Sequence, residues 1–147
     1  MKKVLLLVVM ILAVGGAVFF STGRPEKKTA QVVINNQTWT VETAEAEASR
    51  TRGLSGRETL PPQTGLLFIF DRPAVQTFWM KDMLIPLDII FFDEQWQIVL
   101  VEENLTPASF PKTFGAGVLS KYVLEINAGE AKKSGLQVKN QVRFFVK

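Results

Sequence analysis

Between Pro86 and the pair Asp93-Glu94 the chain reads Leu87-Asp88-Ile89-Ile90-Phe91-Phe92. A run this short, dense in β-branched and aromatic residues and closed by turn residues at both ends, predicts a well-buried strand. The pattern recurs along the chain. Gly65-Leu66-Leu67-Phe68-Ile69-Phe70 stops at Asp71-Arg72-Pro73, and Trp96 to Val101 follows the turn Asp93-Glu94-Gln95, predicting an antiparallel hairpin with Leu87–Phe92. Tyr122 to Ile126 is another apolar strand, and Val138 with Val142 to Val146 around Lys139-Asn140 forms a closing strand or hairpin. Upstream, Val32-Val33-Ile34 and Trp39-Thr40-Val41 flank Asn35-Asn36, residues that tolerate the positive φ of a tight turn, so Gln31 to Glu42 reads as a hairpin. Helix signals are minor: Ala44 to Arg52, with Thr43 as N-cap and Gly53 as stop, and a turn from Glu130 to Ser134. Glu102 to Leu119, with two prolines and two glycines, reads as a long surface loop. Short strands without strand–helix alternation argue against a doubly wound parallel sheet. The expected fold is mainly β (α+β), an antiparallel curled sheet or small barrel with one or two short helices.

The 147 residues suffice for one domain with a real core. Met1-Lys2-Lys3 and the apolar run Val4 to Phe20 set residues 1–20 apart as a signal peptide or an N-terminal membrane anchor. At 1.5 Å per residue the run covers roughly 25 Å as a helix, short for a bilayer core of about 30 Å and long for a signal core. Bulky Phe19 and Phe20 precede the small residues Ser21-Thr22-Gly23, and without Cys no lipoprotein acylation is possible. Residues 21–30 are then a linker and 31–147 the domain. The protein is expected to be exported, either anchored and facing outward or, if cleaved, periplasmic or extracellular.

Of the formal charge of +3, Lys2 and Lys3 supply two, so the folded part is close to neutral and carries no nucleic-acid footprint. Neither Cys nor His is present, which excludes thiol and imidazole catalysis, Cys/His zinc sites, disulfides and any Ser/His/Asp triad. Chemistry must use carboxylates, Lys, Arg, Tyr, hydroxyls or backbone groups. Asp88 and Glu125 each interrupt an apolar strand, where an ionised carboxylate needs compensation. They are the candidate catalytic residues, as shielded acids facing one polar cavity, with the alternative that Asp88 pairs with an arginine in a structural network. Arg50, Arg52 and Arg57 cluster around Gly53-Leu54-Ser55-Gly56, and with Lys81, Asp82, Trp79 and Tyr122 they form the candidate ligand-binding set, Trp79 or Tyr122 serving as an apolar wall. Trp79 and Met80 point opposite ways if they lie on a strand, so one of them is expected in the core. No spacing resembles an oxygen-ligand loop for calcium, so neither metal nor cofactor is expected.

Several segments resemble the DUF192 family, small bacterial and archaeal proteins that are often exported: Arg50 with Gly53-Leu54 and Arg57, Gly65 to Phe70, Phe78-Trp79-Met80-Lys81-Asp82, Ile85 to Phe91, and Tyr122 to Gly129. The resemblance spans about residues 31–146 and implies a compact β-rich domain, with no activity to carry over. It also implies Met where Ser55 and Leu66 stand and Asn-Thr where Asp82-Met83 stand, so a pocket lined by these positions has altered chemistry here. Three function classes follow: an extracytoplasmic module binding a small anionic or hydroxylated, sugar-like ligand; a carboxylate-dependent enzyme acting on a sugar or envelope polymer; and an envelope interaction protein without a small ligand.

Overall fold

The computed structural model describes residues 29–146. The signal or anchor segment and most of the linker lie outside the described residues. Nine strands and two short helices follow in order: β1 (Thr29–Ile34), β2 (Gln37–Ala44), α1 (Glu47–Arg52), β3 (Thr64–Val75), β4 (Phe78–Trp79), β5 (Leu87–Phe92), β6 (Ile98–Leu105), a 3-10 turn at Pro107–Ser109, β7 (Thr113–Phe114), β8 (Leu119–Asn127), α2 (Glu130–Lys133) and β9 (Val142–Val146). Seven strands make one sheet in the order β6-β5-β8-β3-β2-β1-β9, and β4 pairs with β7 in a small second one. All pairings in the large sheet are antiparallel except β2 with β3. The sheet curls until its edges meet. Gln97 bridges Gln141, and backbone bonds from Ile98 to Asn140, Lys139 to Ile98 and Val142 to Trp96 join the start of β6 to the approach to β9. This is the mainly β, strongly curled half-barrel that the strand pattern predicts.

Curling divides the apolar residues into two cores. All seven strands of the large sheet contribute to the concave one, including Val32, Trp39, Leu67, Ile90, Ile98 and Val142, and α2 with its following turn closes one end through Ala131 and Leu136. The second core lies on the outer face of β3, β5 and β8, where Phe68, Phe91 and Val123 are covered by Leu54, Met80 and Phe114 from the connecting segments. The central strands are thus buried on both sides, and all six residues of β5 are inaccessible. Strands in that position read as continuous apolar runs rather than alternating ones, so Leu87–Phe92 carries so strong a signal.

The Asn35-Asn36 turn forms as expected, both residues at positive φ. Three local expectations change. Thr43 and Ala44 end β2 by pairing alongside Leu67 and Phe68, so α1 begins only at Glu47, with no side-chain cap. Sheet pairing outcompetes the first turn of a short Ala/Glu helix, which is marginal alone. β3 does not stop at Asp71-Arg72-Pro73 but crosses it with an irregularity between Ile69 and Ala74, running on to pair Val75 with Leu119. The expected loop from Glu102 is instead strand as far as Leu105.

Gly115 marks where β7 packs tightest. Its φ is +88°, and a Cβ there would lie 2.4 Å from the Gln76 carbonyl oxygen and 2.5 Å from the Phe91 ring. Gly115→Ala is therefore expected to destabilise by about 2 kcal/mol or more, through left-handed strain plus overpacking. A denaturant midpoint unchanged from that of the parent would refute this packing.

Candidate functional site

Strand register decides what the two buried acids can do. In the β5–β8 ladder Asp88 faces Ile126 and Ile89 faces Glu125. Directly opposed residues share a face and successive residues alternate, so Asp88 points with Ile126 into the concave core while Glu125 points with Ile89 to the outer face. The two carboxyls lie on opposite sides of the sheet. They are not an acid–base pair in one cavity, which corrects that expectation and removes the two-carboxylate enzyme built on it.

Asp88, with no accessible surface, pairs with neither an arginine nor Lys81 among the described residues. Its Oδ1 accepts the Asn104 backbone N–H at 2.8 Å and its Oδ2 accepts the Ala131 N–H at 2.9 Å. The carboxylate ties β6 and the first turn of α2 to β5. The expected partner exists, but it is backbone, because positive-φ Asn104 and the turn through Gly129 present their amides at this end of the sheet.

Glu125 is the buried acid that faces an opening. Only 5 % exposed, it lies between Leu66 and Ile89 on the neighbouring strands, and its Oε2 is buried without a hydrogen-bond partner among the described residues. Burial pushes its pKa up to about 8, against a smaller opposing pull from the Arg57 guanidinium. At neutral pH it is a protonated, uncharged acid, able both to donate and to accept a hydrogen bond.

Above Glu125 opens a cleft of about 330 Å³ between α1 with its following turn and the segment that leaves β3. Its walls are aromatic and apolar, with Phe68, Phe70, Phe78, Trp79 and Met83, and α1 supplies Glu47, Arg50 and Arg52. Phe78 stands edge-on to Phe68 and to Phe91, with centroids 4.8 and 5.7 Å apart, which fixes that wall. Gly53 closes α1 at φ +53°, and its missing Cβ would lie 3.8 Å from Glu125 Oε2, so the glycine lets the turn pass over the acid. A second hollow of about 370 Å³ lies across the same turn, lined by Glu42, Thr43, Ser49, Arg52, Arg57 and Leu66 among others.

Of the seven predicted binding residues, Arg50, Arg52 and Trp79 line the cleft and Arg57 lines the second hollow. Arg57 is held by Glu42 through two bonds of 2.9 and 2.7 Å, and this pairing, ahead of the cost of its partial burial, raises its pKa. Arg50 donates to the carbonyls of Glu45 and Ile69 and stacks on Phe70, 5.2 Å from the ring centroid. Arg52 is exposed, lines both hollows and makes no ion pair among the described residues. The Lys81-Asp82 turn lies against the arginine turn through backbone, its carbonyls accepting Ser55 Oγ–H at 3.1 Å and the Gly56 N–H at 2.9 Å. Both residues are exposed, and neither lines the cleft. Trp79, the last residue of β4, is 52 % exposed and forms a wall, while Met80 just after the strand is buried.

Tyr122 is a correction. Even-numbered in β8, it faces away from Glu125 and stacks on Trp96 at 3.8 Å, so it lines no part of this cleft. Phe68, Phe70 and Phe78 were missed as wall residues because an apolar strand does not disclose which face is covered. Ser55 and Met83, which stand where the family pattern implies Met and Thr, both line the cleft, and Leu66 lines the second hollow.

The family model DUF192, described as an uncharacterized ACR, matches residues 30–144. No curated protein matches the chain. A crystal structure of a protein of unknown function from Novosphingobium aromaticivorans is similar, at 29% identity and a TM-score of 0.72 over 78% of this chain and 83% of that one. A second, from Sinorhizobium meliloti and provisionally described as a transcription regulator, is similar at 28% identity and a TM-score of 0.73 over 80% of this chain and 92% of that one.

Proposed function

The chain belongs to the DUF192 family, and we propose that it is an extracytoplasmic module that binds a small anionic or hydroxylated ligand in the cleft above Glu125. The observation that carries this reading is the buried Glu125 oxygen, without a partner among the described residues, at the floor of an open cleft. Native proteins satisfy nearly all buried polar atoms, and a bound hydroxyl or acid oxygen supplies the missing partner. A neutral acid at the floor tolerates an anion where a carboxylate would repel it. Arg52 at the rim has its guanidinium fork free of ion pairs among the described residues, so it is placed to receive a carboxylate or phosphate in paired hydrogen bonds. Phe70, Phe78 and Trp79 then cover the ligand's apolar side. The extracytoplasmic placement rests on Lys2, Lys3 and the apolar run from Val4 to Phe20.

Calorimetry or ligand-observed NMR against sugar acids, phosphates and cell-wall fragments tests this directly. Arg52→Ala is expected to weaken binding of an anionic member about tenfold, equivalent to about 1.4 kcal/mol, with the melting temperature unchanged. Glu125→Leu is expected to abolish binding. A ligand bound equally well by both variants would place the site elsewhere, and the absence of any binding at millimolar concentration would remove the proposal.

A further inference from the structure

β3 and β8 continue as a two-stranded ribbon beyond the last partner of β2, since Ala44 pairs with Phe68 whereas Val75 pairs with Leu119. The tip of that ribbon is apolar and exposed: Val75 is 52% accessible and Leu119 62%. Exposure alternates from Val75 to Trp79, so Val75, Thr77 and Trp79 are the accessible residues of that stretch. Trp79 pairs with Thr113, next to Lys112. In the segments 69–79 and 110–122 the charged residues are Arg72, Lys112 and Lys121 against Asp71, while Glu47 shares the cleft with Trp79 and Asp93 follows Phe92, the partner of Tyr122, at the same end of the sheet.

The path of the chain gives this tip its direction. β1 runs antiparallel to β2, which is parallel to β3, so Thr29, where β1 begins, lies at the end of the sheet toward which β3 extends. Eight residues, 21–28, separate Phe20 from Thr29. Fully extended they reach at most about 28 Å. With the apolar run 4–20 in a bilayer, as the sequence leads one to expect, the domain would be held within that reach on the side of the sheet where the ribbon ends.

We propose that the ribbon tip formed by Val75 and Leu119, with exposed Trp79 on the segment that follows it, docks on the surface of an anionic lipid bilayer. The apolar side chains enter the interface, where Trp is favoured, and Arg72, Lys112 and Lys121 face the headgroups. Trp79 also walls the cleft above Glu125, so docking sets the cleft mouth beside the membrane. The proposal rests on membrane anchoring but not on the cleft having a ligand, and the two fail separately.

Trp79 reports on it well, because Trp39 is buried and Trp96 is stacked between Tyr122 and Phe144. The full-length chain is reconstituted into vesicles of phosphatidylglycerol and phosphatidylcholine, some carrying brominated acyl chains. Bromine is expected to quench at least half of the emission that Trp79→Phe removes, and Leu119→Asp combined with Val75→Asp should abolish that quenching while the protein stays with the vesicles. Trp79 emission unaffected by bromine yet quenched by aqueous acrylamide would overturn the proposal. So would a chain that does not associate with vesicles. Shielding of Trp79 that appears without lipid and grows with protein concentration would overturn it in favour of a second copy of this chain.

Discussion

Asp88→Ala is expected to lower the stability of the domain by about 3 kcal/mol. The substitution leaves the N–H groups of Asn104 and Ala131 without their acceptor, and each buried, unsatisfied donor costs about 1–3 kcal/mol. No cation is stranded, because none pairs with Asp88 among the described residues. The loss should therefore be insensitive to salt. It should fall at the α2 end of the sheet, so hydrogen exchange of Ala131 and Asn104 should accelerate before that of β1 or β9. A denaturant titration that places the variant within 0.5 kcal/mol of the parent, the range typical of surface substitutions, would show that these bonds do not form.

The second large effect follows from the proton on Glu125. Its free carboxyl titrates near 4.5 and its folded one near 8, so between these values the folded protein holds a proton that the unfolded chain has released. Stability contributed in this way is complete below pH 4.5 and is lost as pH rises through the window, at a slope of about 1.4 kcal/mol per unit. By pH 8 the loss reaches about 4 kcal/mol on the same relation. Glu125→Gln removes the titration while keeping a group of the same shape that can donate and accept. The stability difference between parent and variant should therefore widen in favour of the variant from pH 5 to pH 8 and level off above. Arg57 and its partner Glu42 face the same turn, and Glu47, Arg50 and Arg52 line the cleft; all are common to both proteins and cancel in the difference. A difference flat with pH would mean that Glu125 is solvated.

The two effects also mark what was legible in the sequence. β5 could be read from six residues because burial on both faces leaves a chemical record at every position. The hairpin at Asn35-Asn36 was equally readable, since few residues accept positive φ twice in succession. Asp88 and Glu125 announced themselves as polar residues in apolar strands, but their relation did not. Whether they share a face depends on the register between β5 and β8, and a shift of one residue would have put them together. The end of β3 was misread because Asp71-Arg72-Pro73 is turn chemistry, and the strand passes it at an irregularity facing solvent. Arg50, Arg52 and Arg57 lie around one turn, and that turn meets Lys81-Asp82 through Ser55 and Gly56 rather than through an ion pair with Asp88. The aromatic wall was invisible for a further reason. Phe68, Phe70 and Phe78 are indistinguishable in sequence from core residues, and only the course of α1 and its glycine turn leaves an opening above them.

We propose Glu125 as a neutral acid at the floor of a ligand-binding cleft. The measurement closest to it is the side-chain carboxyl carbon resonance of Glu125, assigned through Glu125→Gln and followed by NMR from pH 4 to pH 9 with and without an anion that binds. The account predicts a midpoint near 8 in the free protein and a higher one with the anion bound, because negative charge nearby further disfavours the carboxylate. A midpoint near 4.5, unmoved by any binder, would contradict it.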